Sequence, residues 1–213
     1  MSSVKDLNKQ VKELDARIQE LEMQRELILA SIGFKQKNVP DAIEHFAKAV
    51  DYGYLGNYSF IGGLYGSGEE GVPVDLDKAK HYLQKFYDDY KLCRLEDVSP
   101  SNIVIAIYNL AATESYICIR DGVKHSAKVT NRMKRLFIEL INIAEIAGDE
   151  LEESAIEDVF KAGAVLYSGL FGTPNGEDVE FKADTENGIK GLKVAADLGN
   201  ESAKKFISSE GIQ

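Results

Sequence analysis

The sequence predicts an all-α chain in two parts: a long N-terminal coiled-coil helix at residues 1–35, then a stack of helix pairs over residues 36–213. Three observations carry this prediction. Apolar residues recur on a heptad spacing between residues 4 and 32. The remainder returns repeatedly to one helix-turn-helix pattern punctuated by glycine, and such self-similarity marks stacked repeats. Every long segment has either a 3.6-residue apolar period or the recurring helix signature, so no β-sheet is expected.

Composition fits that class. A chain of 213 residues is long enough to bury a sizeable core. With 44% apolar and 28% charged residues it is neither disordered nor membrane-embedded. The formal net charge of −10 argues against direct nucleic-acid binding, which needs Lys/Arg density. It suits a soluble protein, one that meets a basic partner, or an imitator of nucleic acid. The opening stretch MSSVKDLNKQ is charged from residue 5, and no run of 18 apolar residues occurs, so a cytoplasmic protein with no membrane contact is expected. Cys93 and Cys118 stand far apart without ligand spacing, which predicts buried, reduced thiols.

In the N-terminal helix, Val4, Val11, Ile18, Arg25 and Ile32 occupy position a, and Leu7, Leu14, Leu21 and Ile28 occupy position d. β-Branched residues at a with leucine at d favour a parallel two-stranded coil, in which Arg17 and Glu22 can pair between chains. Arg25 interrupts the seam. A homodimer through Val4, Leu7, Val11, Leu14, Ile18, Leu21 and Ile28 is the expectation. The competing readings are a stripe folded back on the rest of the chain and a coil with a different protein.

The pattern behind the helix pairs is most visible when each closing helix is aligned on its end. AIEHFAKAVDYG (42–53) and GIKGLKVAADLG (188–199) share small residues at equivalent offsets, FIELINIAEIAG (137–148) keeps Ala144 and Gly148, and AKHYLQKFYDDY (79–90) keeps Ala79 with Tyr90 at the closing place. Small residues three or four apart let helices approach closely, and the terminal glycine suits a left-handed C-cap. The preceding helices have their own signature: NYSFIGGLYGSG (57–68) sets Ile61-Gly62 before Tyr65, and VFKAGAVLYSGLFG (159–172) sets Gly163-Ala164 before Tyr167. Asp75 and Asp184 stand four residues before Ala79 and Gly188, where an aspartate caps a helix. LFGTPNGEDVEFKADTE (170–186) reads as a long turn, and NESAKKFISS (200–209) as a short helix covering the C-terminal end.

The stretch FIGGLYGSGEEGVPVDLDKAKHYLQKF resembles the Sel-one-like repeat of the tetratricopeptide-like superfamily. The match is strong over 57–80, good over 159–200, partial over 38–53 and weak over 101–148, where IYNLAATESYICIRDG keeps Tyr116 and Gly122 without the Leu-Gly step. The resemblance implies a right-handed α-solenoid and an adaptor that holds a partner protein on its concave face. A few relatives of the repeat are credited with hydrolase activity, but they pair cysteines within each repeat, which this chain does not, so no catalytic residues, cofactor or metal are expected. In the related tetratricopeptide pattern the groove is lined by the first helix of each pair. Counting from Gly62, Thr113 and Ala164 nominates Ser59, Gly63, Glu114, Asp158, Lys161 and Ser168, a polar and somewhat acidic set suited to a basic or mixed peptide.

Residue by residue, the chemistry points the same way. His45, His81 and His125 are isolated from one another and from both cysteines. GGLYGSGEEG (62–71) lacks the Lys-Ser/Thr and preceding strand of a phosphate loop. The acids of GDELEESAIED (148–158) sit where a helix N-terminus favours them. A non-enzymatic scaffold is therefore the leading expectation. An acidic inhibitor or nucleic-acid mimic, of phage or mobile-element type, is the alternative, supported by the net charge and the acids between 148 and 186.

Overall fold

The computed structural model describes residues 4–122, 127–172 and 177–212; His125 lies outside them. Helix accounts for 78% of the described residues. In chain order the elements are α1 (Val4–Lys35), α2 (Val39–Asp51), α3 (Ser59–Ser67), α4 (Leu76–Lys91), α5 (Pro100–Arg120), α6 (Ala127–Ala147), α7 (Glu153–Ser168), β1 (Leu170–Gly172), β2 (Asp178–Glu180), α8 (Thr185–Asp197) and α9 (Glu201–Glu210). Among the described residues the chain is therefore all-helical apart from one small strand pair.

The helix starts follow from side-chain caps. Asp75 Oδ1 accepts from the Asp77 and Lys78 amides at 3.1 and 2.9 Å, and Asp184 Oδ1 accepts from Asn187 at 3.4 Å. Ser99 caps α5 just ahead of Pro100, whose missing N–H falls where none is needed. Asn200 caps α9 by accepting from Ala203 at 2.8 Å.

The helix ends share one geometry. At the end of α2, Tyr52, Gly53 and Tyr54 donate to Lys48, Val50 and Ala49; Leu92, Cys93 and Arg94 close α4 in the same way, as do Leu198, Gly199 and Asn200 for α8. The central residue of each trio has positive φ: +108° at Gly53, +53° at Cys93 and +97° at Gly199. This corrects the sequence reading of α4. Its closing turn falls at Cys93 rather than Tyr90, because the helix runs almost one turn further, and a cysteine occupies the left-handed position that glycine fills elsewhere. Cys93 is consequently exposed, whereas only Cys118 is buried; both are free thiols.

The helices pack as hairpins: α1 with α2, α3 with α4, α5 with α6, and α7 with α8, while α9 lies against α8. Alternate helices α3, α5 and α7 also touch, as do α6 and α8. Small residues set the closest approaches. A Cβ on Gly33 would stand 2.9 Å from the Ala42 methyl, and one on Gly163 would stand 2.8 Å from the Leu192 amide nitrogen, so neither site accepts a side chain without moving a helix. The core runs through Tyr58, Leu83, Phe86, Ile107, Leu110, Phe137, Leu140 and Leu166, all essentially without solvent contact.

One equivalence moves by a residue. The Asp75 amide donates to Tyr65 O and the Asp184 amide to Leu166 O, both at 2.8 Å. Gly68 and Gly169 close α3 and α7 with φ of +72° each. Leu166, not Tyr167, is thus the partner of Tyr65, and Gly163 rather than Ala164 matches Gly62. Tyr167 instead meets Phe206 of α9 edge-on at 5.6 Å.

The expectation of no β-sheet fails in the long turn. Phe171 pairs with Val179 in an antiparallel ladder, both side chains facing inward while their neighbours face out. Phe171 stacks on Phe137 at 6.3 Å and meets Tyr116 at 6.1 Å, so the strand pair is anchored by period-two burial against α5 and α6.

Candidate functional site

Two surfaces stand out, the stripe on α1 and a cleft between α3 and α5. On α1 the seam residues Val4, Leu7, Val11, Leu14, Ile18, Leu21 and Ile28 retain between 51% and 74% of their accessible surface. The helix does pack on α2, but through Glu26, Ala30 and Gly33, which are buried. Turning 100° per residue, that face lies about 130° around the axis from Arg25, Ile28 and Ile32. The stripe is therefore not the surface that α1 uses within its own chain.

Arg25, the polar member of the seam, is held sideways. Its guanidinium donates to Glu26 at 2.8 Å and lies 3.6 Å from Glu22. Glu26 is itself buried and meets His45 Nδ1 at 2.6 Å, so His45 joins α2 to α1. The contact ties α2 to α1, in line with a structural role for the histidine. His81 stands edge-on to Tyr82 at 4.8 Å and 3.7 Å from Asp51, at the surface.

The cleft has a volume of about 360 Å³ and is lined by Gly63, Gly66, Tyr108, Asn109, Ala112 and Tyr116 among others. Glycine at 63 and 66 leaves α3 flat and brings α5 close: a Cβ on Gly63 would lie 3.5 Å from Asn109 Nδ2. Tyr108, Ala112 and Tyr116 follow one another at i, i+4 and i+8, forming one stripe of α5. The Asn109 side-chain amide faces the cleft beside Gly63.

Beyond Tyr108 lies α7. Lys161 Nζ stands 5.8 Å over the Tyr108 ring and 3.5 Å from Asp158 Oδ1. The Asp158 side chain is only 13% exposed, while that of Lys161 is 45% exposed. Burial raises the Asp158 carboxyl to about 6, and Glu157 adds to this, against the opposing pull of Lys161. Burial likewise pushes the Tyr108 phenol up, assisted by Asp158.

Of the six groove residues nominated from sequence, Gly63, Asp158 and Lys161 fall on this continuous face. Ser59 does not: it is buried at the start of α3, where its hydroxyl donates to Asn57 at 2.9 Å. Ser168 is exposed, but it sits at the end of α7 with its hydroxyl donating to Ala164 O at 2.9 Å. Glu114 is the largest departure. It is 4% exposed and bridges three helices, with Lys80 of α4 3.5 Å from one oxygen and Arg132 of α6 3.2 Å from the other. It lies about 200° around α5 from Ala112, because counting from Thr113 selects the inner side of the helix.

The cleft residues missed are Tyr108, Asn109 and Tyr116. The i, i+4, i+8 spacing of Tyr108, Ala112 and Tyr116 is the signal for the two tyrosines, hidden within a helix apolar on most sides, and Asn109 has none. Among the described residues no group of three or more His, Cys, Asp or Glu is placed to hold a metal ion. α5 is long and apolar enough to cross a membrane by length and composition, yet it packs against α3, α4, α6 and α7 in the middle of the fold. Compared with protein-family models, curated proteins and solved structures, the chain gives no match, so the Sel-one-like resemblance rests on the motif residues themselves.

Proposed function

We propose that this protein is a non-enzymatic interaction scaffold, a right-handed α-solenoid of helix-pair repeats that self-associates through α1 and holds a partner protein in the α3–α5–α7 groove. The observation that carries the reading is the exposed α1 stripe. Seven large apolar side chains in heptad register face water along one side, while a different side of the same helix makes the intramolecular contacts. Fully enclosing such side chains is worth about 1.5–3 kcal/mol each. A second copy offers a matching stripe in the parallel register that β-branched residues at a favour. The recurring caps and helix ends, and the side-by-side packing of α3, α5 and α7, support the repeat reading. The free thiols of Cys93 and Cys118 suit a reducing, cytoplasmic setting.

The test has two arms. Light scattering at tens of micromolar should give twice the chain mass for the wild type, with Leu14→Asp plus Leu21→Asp reducing it to one chain while helical circular dichroism is retained. A wild-type monomer at that concentration defeats the self-association claim. For the groove, Gly63→Glu places a carboxylate in the cleft without meeting the core. It should abolish partner capture that the wild type shows; undiminished capture by this variant would move the docking surface elsewhere.

A further inference from the structure

We propose that Asp158 and Tyr108 form a subsite for an arginine side chain of the partner, and that Lys161 is a resident cation that occupies it until the partner displaces it. The proposal rests on the groove reading above and makes it specific. Tyr108 lines the cleft, and Asp158 presents a largely buried carboxylate near its ring, with Lys161 over the ring face. Lys161 shows what the pair accepts, since its ammonium sits between the two. It is held loosely, at 3.5 Å from Asp158, 4.0 Å from Glu157 and 5.8 Å from the ring centroid. The lysine side chain remains 45% exposed.

A guanidinium fits better than the ammonium now there. It is planar, stacks on an aromatic face and donates two parallel hydrogen bonds to one carboxylate, which a lysine on the adjacent helical turn cannot do. The titratable groups around Asp158 are Lys161 and Glu157 on its own helix and the neutral phenol of Tyr108 from α5. Glu157 lies on the outer side, where its other oxygen accepts from Asn200 Nδ2 at 2.9 Å, so it adds negative potential without closing the site. Displaced Lys161 has solvent in which to reside, and its loss leaves Asp158 free to meet the incoming cation. Because burial holds the Asp158 carboxyl at about 6, arginine capture should weaken as pH falls through that value and should release a proton when it occurs near it.

The experiment titrates the isotopically labelled full chain with acetyl-Ala-Arg-Ala-amide and, separately, with the neutral isostere acetyl-Ala-citrulline-Ala-amide. Carboxyl, ring and amide resonances are followed by nuclear magnetic resonance. The arginine peptide should shift the Asp158 carboxyl and the Tyr108 ring at millimolar concentration, with the citrulline peptide at least about tenfold weaker. Lys161→Ala should tighten arginine binding about tenfold by removing the competitor, and Asp158→Asn should abolish it without lowering the unfolding midpoint. Equal binding of both peptides, or weaker arginine binding by Lys161→Ala, overturns the subsite. The groove reading fails separately. If both peptides move Gly63 and Asn109 while Asp158 stays still, the groove stands and the subsite falls; if arginine moves Asp158 and Tyr108 alone, the subsite stands without the groove. No shift in either region up to tens of millimolar rejects both as peptide sites.

Discussion

The two helices richest in apolar pattern, α1 and α5, use it in opposite ways. α1 has a narrow stripe, two positions in seven, and exposes it along its length. α5 is apolar on most sides and buries Val104, Ile107, Leu110 and Ala111 between four neighbouring helices. A stripe of α1's width can be covered by one partner helix, and within this chain α1 spends its packing on a different face. A helix with α5's distribution needs neighbours all round, so it becomes the centre of the fold. Periodicity therefore tells where a contact lies, and its width tells how many neighbours the helix requires.

The sharpest way to break this contrast is one truncation made in both helices. Leu110→Ala in α5 should lower the unfolding free energy by about 2–5 kcal/mol, as large-to-small changes in a closed core do. Leu14→Ala in α1 should change the stability of the dilute chain by less than about 0.5 kcal/mol. Chemical denaturation at low micromolar concentration reads both, and comparable losses would mean that α1 is part of the core.

The next effect separates two carboxylates that the sequence placed in the same groove. Glu114→Gln removes a buried charge that two cations face, leaving Lys80 and Arg132 partly solvated, and should cost about 1–3 kcal/mol. A stability change near zero would show that Glu114 is solvated after all. Charge reversal at Glu114 is therefore a test of folding and not of partner capture.

Asp158 should behave in the opposite sense. Its folded-state carboxyl is raised, by burial first, to about 6. The fold therefore favours the protonated form. That contribution is fully present below the unfolded value near 3.9 and is lost as pH rises to about 6. Asp158→Asn should thus match the wild type at pH 4 and exceed it by about 1–2 kcal/mol at pH 7.5, as read by denaturation across pH. A variant less stable than wild type at neutral pH would mean that the Lys161 pair outweighs the burial of the carboxylate.

Much of the fold was legible because its signals are local. Asp75, Asp184 and the glycines at 53 and 199 determine caps and turns within a few residues of themselves, and the structure places the corresponding helix ends there. What was not legible depended on partners far along the chain. Leu166 replaces Tyr167 as the equivalent of Tyr65 because the Asp184 amide, beyond the strand pair, selects its carbonyl. Glu114 reads as a surface acid until α4 and α6 bring Lys80 and Arg132 to it. The β1–β2 ladder was hidden in a Gly-rich, charged turn, since two inward residues are too few to give a strand period. Of the six residues nominated for a groove, Gly63, Asp158 and Lys161 lie near Tyr108 of α5, while Tyr108 and Asn109 gain their neighbours only when α3 and α7 flank α5.

The smallest expected effect concerns the outer half of α1. No described residue before Glu26 on this helix is buried, and Gln19, whose amide donates to Tyr52 O at 3.0 Å, makes its outermost hydrogen bond to α2 or the turn that follows. Removing residues 1–17 should therefore leave the unfolding free energy of the dilute protein within about 0.5 kcal/mol of the full chain. It should nevertheless remove four seam residues, Val4, Leu7, Val11 and Leu14, together with part of the turn that supports Ile18, and so abolish self-association. Concentration distinguishes the two consequences. A dimer bound through the folded state raises the unfolding midpoint as protein concentration rises, so the full chain should show that dependence and the shortened chain should not. A shortened chain less stable by more than about 1 kcal/mol at low concentration would place the N-terminal half of α1 against the fold, and the stripe would then have its partner within the same molecule.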